Sequence, residues 1–261
     1  MEAKTLTPII SSYNIDEEYL YSKTYLFIKG FATGRNFIYT LKALPLARKF
    51  HNGQYRKGLV VIDGEQVKLP YILHPLKVCS TLMSLNLPLT DRELDILYAS
   101  ALLHDIIEDA SEYFPNEEEE LETIYEFPEE VKKVVLLLSK KPGSTEFELN
   151  EYFNKLKKNK IALLIKLSDR SHNVETLYSF DYKGILKYIK ETKQYFLSRD
   201  SICAYGKQKY PELSNGITIL KSKILSLTES TEVILKKQEE ILAEKDAEIK
   251  KLQEEIKKLK G

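Results

Sequence analysis

Apolar side chains recur every three to four positions along most of this chain, a spacing that predicts helices. Residues 38–51 follow that period with Pro45 interrupting it. A second helix is expected over 74–86, with Pro75 at its start and Leu76, Val78, Leu82, Met83 and Leu85 in phase. Asp91 to Asp109 reads as one helix, with Thr90 as N-cap and Glu93 at capping-box distance. Its middle, ILYASALL, is almost wholly apolar, which places it in the core. Pro128 opens another helix, PEEVKKVVLLLS, where Glu129 and Glu130 sit at the positive end of the helix dipole. Ile161–Lys166 is a short apolar run leading into SDRSHN, and a further helix is expected over 182–210.

Strand patterns are sparse. Residues 58–72 hold two β-rich pieces around Asp63-Gly64, a type I′ hairpin signal. The predicted fold class is therefore all-α with a small β-hairpin inserted between helices. The acidic run Glu117–Glu120 reads as a solvated helix start or loop.

From Glu229 to Lys260 there is no proline, glycine or aromatic residue, and charges of both signs alternate. Leu220, Leu227, Ile234 and Ile241 lie seven apart; Leu242, Ile249 and Ile256 form a second series, accompanied by Leu252 and Leu259. This pattern predicts a coiled coil, with a one-residue phase shift at Ile241-Leu242 and Lys245 weakening one core position. Such a helix either pairs with another copy or a partner protein, or folds back on its own domain.

Composition narrows the function classes. Lysine plus arginine equals aspartate plus glutamate at 39 each, so the basic excess of a general nucleic-acid binder is missing. The two cysteines, Cys79 and Cys203, are far apart and suit a reducing compartment rather than a disulfide scaffold. The N-terminal residues do not read as a signal peptide, and no run of apolar residues is long enough to span a bilayer. The expectation is a soluble, cytoplasmic protein acting on neither nucleic acid nor membrane.

The four histidines, His51, His74, His104 and His172, each sit in a recognisable cluster: HNGQYRK, YILHPLKV, ALLHDIIEDA and IKLSDRSHN. Imidazole is the commonest metal ligand. Read as one helix, 104–109 stacks His104 with Glu108 and Asp105 with Asp109, making a wall of one imidazole and three carboxylates. Carboxylates beside a core are costly unless paired or bound to a cation. Mixed nitrogen and oxygen donors suit Mn²⁺, Fe²⁺ or Zn²⁺. The alternative is a helix end whose acids are simply solvated. His74 precedes Pro75 and Asp169 follows the run IALLIKL amid Lys166, Arg170, His172 and Asn173; for Asp169, an ion pair with Lys166 or Arg170 is the other reading.

QYRK…PYILHPLKV, then ALLHDIIEDA, then IKLSDRSHNVETL, closely resembles the HD-domain hydrolases of the RelA/SpoT homologue family, in order from about Leu41 to Ile224, with KYPEL near 209–213. That resemblance implies an HD-domain helical bundle over 1–225, with its core at about 38–212, followed by the coiled coil over 226–261. It implies hydrolysis of the 3′-pyrophosphate of ppGpp and pppGpp. It also implies a Mn²⁺ ion held by His74, His104, Asp105 and Asp169, with Glu108 and Asp109 positioning and activating water. Arg56, Lys57, Asn173 and Thr176 match nucleotide-contacting positions, the arginine packing on the base. No synthetase region is recognised, so the expectation is a small alarmone hydrolase.

This sequence departs from the family pattern in places. The link Gly58–Leu69 is longer than usual, Glu175 stands where arginine is common, Ser171 where leucine is, and Ala110 where threonine often follows the acidic pair. An adenosine alarmone or NADPH remains an alternative substrate. His51 reads as a structural neighbour of the base pocket, and His172 as standing behind the metal ligands.

Overall fold

A computed structural model describes residues 15–56, 60–62, 65–109, 126–140, 143–177 and 180–260. The helices, in chain order, are α1 (Ile15–Gly34), α2 (Ile38–Phe50), α3 (Leu73–Met83), α4 (Asp91–Leu103), α5 (Ile106–Asp109), α6 (Glu129–Leu138), α7 (Glu146–Leu156), α8 (Lys160–Glu175), α9 (Tyr182–Thr192), α10 (Ile202–Lys209) and α11 (Ser214–Lys260). Helix dominates the described residues. Strand β1 (Val60–Ile62) pairs antiparallel with β2 (Glu65–Val67), Val60 opposite Val67. The Asp63-Gly64 turn and the acidic run Glu117–Glu120 lie outside the described residues.

The bundle is organised around α8. Asn159 caps it by accepting from the Ile161 and Ala162 amides, and Ile161 to Ile165 are buried without a break. A helix apolar on all sides belongs in the middle of a core, and α8 packs on α3, α4 and α11. Ser168 Oγ ties it to α3 by donating to the Val78 carbonyl at 2.9 Å. Cβ-less Gly206 lets α10 come close: a Cβ there would lie 2.9 Å from Leu163 and 3.0 Å from Ile217. The run read as ending at Lys166 is thus the first half of a helix whose second half carries charge.

Helix α2 contains Pro45 and starts without a side-chain cap from Phe37. Its first-turn donors are satisfied from α4 instead. The buried Asp95 carboxylate accepts from the Thr40 amide at 2.7 Å, the Tyr39 amide at 3.0 Å and the Thr40 hydroxyl at 2.7 Å. A helix start left unpaired inside a protein is costly, so this contact fixes where α2 begins.

Four expectations need correction. Helix 74–86 begins at Leu73 and stops at Met83, and Asn86 takes a positive φ of 46°; Pro75 therefore stands in the first turn rather than at its first position. Helix 91–109 is broken: α4 ends at Leu103, His104 and Asp105 form a turn, and α5 follows. The Thr90–Glu93 capping box at its start is present in full. Helix 182–210 is split by a π-helical turn over Lys193–Leu197 and a new N-cap at Ser201.

The fourth concerns the tail. Ile217, Leu220, Ile224, Thr228 and Leu235 are buried along α11. Leu235, not Ile234, continues the packed stripe, and Leu242, Ile249 and Ile256 follow it at sevens. The one-residue phase shift expected at Ile241-Leu242 falls earlier in the packed stripe, between Leu220 and Leu235. Beyond Leu235 that same stripe is solvent-facing, with Leu242 62% and Leu259 87% exposed. The proximal part of the predicted coiled coil folds back on its domain, and the distal part does not. Among the described residues no helix is long and apolar enough to cross a membrane.

Candidate metal and nucleotide site

Three chain segments converge beside the α8 midpoint. His74 comes from the first turn of α3, His104 and Asp105 from the break between α4 and α5, and Asp169 from α8. The break turns Asp105 toward the two histidines, a direction that one continuous helix would have denied it. His104 Nε2 lies 3.0 Å from Asp105 Oδ2 and 3.3 Å from His74 Nε2. His74 Nε2 lies 3.3 Å from Asp105 Oδ2 and 3.1 Å from Asp169 Oδ1. Two imidazole nitrogens and two carboxylate oxygens thus face one another in a buried space. His74, His104 and Asp105 form a group whose ligand atoms all lie within 4.8 Å of one another. This donor set fits a divalent cation of the Mn²⁺, Fe²⁺ or Zn²⁺ type.

The electrostatics agree with a cation-seeking site. Burial disfavours the Asp105 carboxylate, yet His104 and His74 outweigh it and hold Asp105 well below the usual carboxylate range. Burial also penalises Asp169, which Lys166 and the histidines nevertheless hold well below that range. His104 is pushed the opposite way: burial lowers it, but Asp105 and Asp169 raise it to about 10.

Supporting contacts surround the cluster. Tyr71 donates its hydroxyl to Asp105 Oδ2 at 2.8 Å. His104 Nδ1 lies 2.8 Å from the Ala101 carbonyl. Lys166 Nζ lies 2.8 Å from Asp169 Oδ2, so the ion-pair reading of Asp169 holds for Lys166. Arg170 instead pairs with Glu191 of α9 and lies over the Tyr188 ring at 4.1 Å. Glu108, in α5, accepts from the Lys140 backbone amide. Burial, against a lowering influence from Lys166, raises Glu108 to about 7, a value suited to a proton acceptor near neutral pH. Asp109 closes α5, and its side chain lies outside the described residues.

Arg56, Asn173 and Thr176 come together beside the cluster. A bridge between Tyr55 and Pro70 and the Arg56 amide bonded to the Leu69 carbonyl at 2.8 Å bring together the two ends of the hairpin segment. Arg56 is thereby held 5.5 Å over the Tyr71 ring, where it donates to Asn173 Oδ1 at 2.7 Å and Thr176 Oγ1 at 3.1 Å. Asn173 in turn donates to Asp169 Oδ1. Lys57 lies outside the described residues. Glu175 is drawn away to Lys223 of α11 at 2.8 Å. His51 stacks on Tyr71 with ring centroids 4.8 Å apart.

A cavity of about 470 Å³ joins these parts; its lining includes Arg56, Tyr71, Asp105, Glu108, Asp169 and Asn173 together with Lys140, Lys166, Arg170, Lys187 and Tyr188. Four of these lining residues, Tyr71, Lys140, Lys187 and Tyr188, were not singled out by sequence reasoning. Tyr71 does open the PYILHP motif; Lys140 and Lys187 had no local signal, because only the folding of α6 and α9 over the cavity brings them there.

Comparison with known proteins agrees with this geometry. Residues 71–175 match the HD domain family, and HD domains bind divalent metals. A guanosine-3′,5′-bis(diphosphate) 3′-pyrophosphohydrolase of Haemophilus influenzae is 35% identical over 58% of this chain and 20% of its own length. A protein of the same name from Aquifex aeolicus is 34% identical over 59% of this chain and 20% of its own. The bifunctional (p)ppGpp synthase/hydrolase SpoT of Escherichia coli is 32% identical over 53% of this chain and 18% of its own. The chain thus spans about a fifth of the length of these relatives.

Proposed function

We propose that this chain, whose residues 71–175 match the HD domain family, is a Mn²⁺-dependent hydrolase of guanosine tetra- and pentaphosphate alarmones. The reaction adds water across the 3′ P–O bond and gives GDP or GTP and pyrophosphate. The observation that carries this reading is the convergence of His74 Nε2, His104 Nε2, Asp105 Oδ2 and Asp169 Oδ1 at one end of a cation-lined cavity.

In this reading His74, His104, Asp105 and Asp169 hold the metal, which would lower the pKa of bound water and neutralise phosphate charge. Glu108 takes the proton from the attacking water, with Asp109 helping to position it. Lys140, Lys166 and Lys187 offer cationic groups to the phosphates. Arg56 is aligned by Asn173 and Thr176 so that its flat guanidinium can stack on a purine; Lys57 is assigned to the same pocket. We assign residues 1–225 to the hydrolase unit and 226–261 to a coiled-coil helix that pairs with a second copy or a partner protein. A cytoplasmic location accords with the nucleotide substrate.

The test is to incubate the purified protein with ppGpp and Mn²⁺ and resolve the nucleotides. GDP and pyrophosphate are expected; no product in the presence of Mn²⁺ would overturn the reading. The longer segment Gly58–Leu69, attached directly to Arg56, favours one second reading: an adenosine alarmone or NADPH as substrate. A side-by-side substrate panel decides between them. Removing residues 236–261 tests the tail: a fall in solution mass with turnover retained is expected, and unchanged mass would refute pairing.

A further inference from the structure

His172, on α8, faces His74 across the back of the cluster. Its Nδ1 is 2.6 Å from His74 Nδ1. The two rings are tilted by only 27° with centroids 4.9 Å apart, a separation that the N···N contact plus a ring radius on each side accounts for. They meet edge to edge, in the geometry of a hydrogen bond rather than of face stacking. Such a bond needs one ring to donate and the other to accept. His74 Nε2 is the nitrogen that points at His104, Asp105 and Asp169. To offer a lone pair there, a neutral His74 must carry its proton on Nδ1. His172 then must present Nδ1 as a bare acceptor and keep its own proton on Nε2.

We propose that His172 is a positioning residue that accepts the Nδ1 proton of His74, and so fixes both the tautomer and the ring plane in which His74 presents Nε2 to the metal. The inference rests on the metal reading above. Two further observations support it. His172 sits on α8 between Asp169 and Asn173, on a helix clamped to α3 by Ser168 Oγ and the Val78 carbonyl; the two histidines are therefore held by one rigid contact. The two Nδ1 atoms, 2.6 Å apart, leave room for only one proton between them, so if His74 donates there His172 must accept. Metal-bound histidines elsewhere commonly give their second N–H to a carboxylate, a carbonyl or water, and losing that partner weakens metal binding about 10- to 100-fold. Here a second imidazole takes that place.

The test measures metal binding directly. Metal-free full-length protein, His172→Leu and His172→Asn are titrated with Mn²⁺ by calorimetry. Leucine fills the space without an acceptor, whereas the asparagine side-chain oxygen can replace Nδ1. A 10- to 100-fold weaker dissociation constant is expected for His172→Leu, with His172→Asn within about threefold of the unchanged protein. Equal binding by His172→Leu, or equal loss in both variants, would overturn the role. If the unchanged protein takes up no Mn²⁺, the metal reading itself fails, a distinct result. Should a variant not fold, ¹⁵N spectra of the unchanged protein decide: His74 must be protonated at Nδ1 and His172 at Nε2, and the reverse pattern refutes the proposal.

Discussion

Helix α8 and the distal part of α11 are opposites. The first buries charged side chains: Asp169 and Arg170 are each only 3% exposed. The second exposes large apolar ones, Leu242, Ile249, Leu252 and Ile256 among them. Each breaks the ordinary rule of burial, and such departures carry more information than compliance does. Buried charge persists only where each group has partners; α8 supplies Lys166, and neighbouring elements supply His74, His104 and Glu191. The apolar stripe at heptad spacing in distal α11 faces solvent among the described residues. One helix carries charge into the protein interior, the other carries apolar side chains into solvent.

The comparison can be broken at its charged end first. Asp105→Asn keeps an acceptor for Tyr71 but removes a carboxylate from the cluster. Turnover is expected to fall at least about 10³-fold, equivalent to roughly 4 kcal/mol, with a melting temperature close to that of the unchanged protein. A smaller loss in steady-state kinetics would separate Asp105 from the chemistry. Next, Leu164→Ala at the fully buried face of α8 should cost about 2–5 kcal/mol in denaturant unfolding, because it leaves a cavity. A cost under 1 kcal/mol would mean that α8 is not the centre of the core.

Glu108 tests whether the site is held at the expense of stability. Its carboxyl rises from an ordinary 4.5 to about 7 in the folded chain, so folding favours the protonated form. That contribution is fully present below about pH 4.5 and is lost as pH rises through 7. In metal-free protein above pH 7, Glu108→Gln should therefore be more stable by about 1–3 kcal/mol while losing turnover, as unfolding curves and rate measurements can show. No gain in stability would contradict the burial of this charge. The smallest effect is expected at the other end of the comparison. Leu252→Ala should change unfolding of the domain by less than about 0.5 kcal/mol, yet weaken self-association in sedimentation.

Much of the site was legible because its donors sit in compact local patterns: histidine before proline, histidine before aspartate, and aspartate after an apolar run. Helix starts with their own caps were equally clear, as Thr90 with Glu93 shows. The same kind of box at Thr145 and Glu148 opens α7, a helix the apolar period did not reveal because few of its residues are buried. What local patterns could not show depends on contact at long range. The break at His104-Asp105 runs against the apolar period of α4; there the convergence of the site overrides helix propensity. Tyr71 reads as part of a motif, but its bond to Asp105 spans 34 residues. Arg170 looked like a partner for Asp169 by proximity along the chain, and it went to Glu191 once α9 folded over it.

The cap that Asp95 places on α2 has a consequence for how the chain folds. The first turn of α2 is completed by a carboxylate 55 residues further along, so it closes only when α4 has docked. Contacts of that sequence separation slow folding, because a long loop must be ordered before they form. Replacing Asp95 would thus leave α2 to fray from its N-terminus, and a synthetic peptide covering 38–50, without that distant carboxylate and with Pro45 inside, has little reason to be helical by itself.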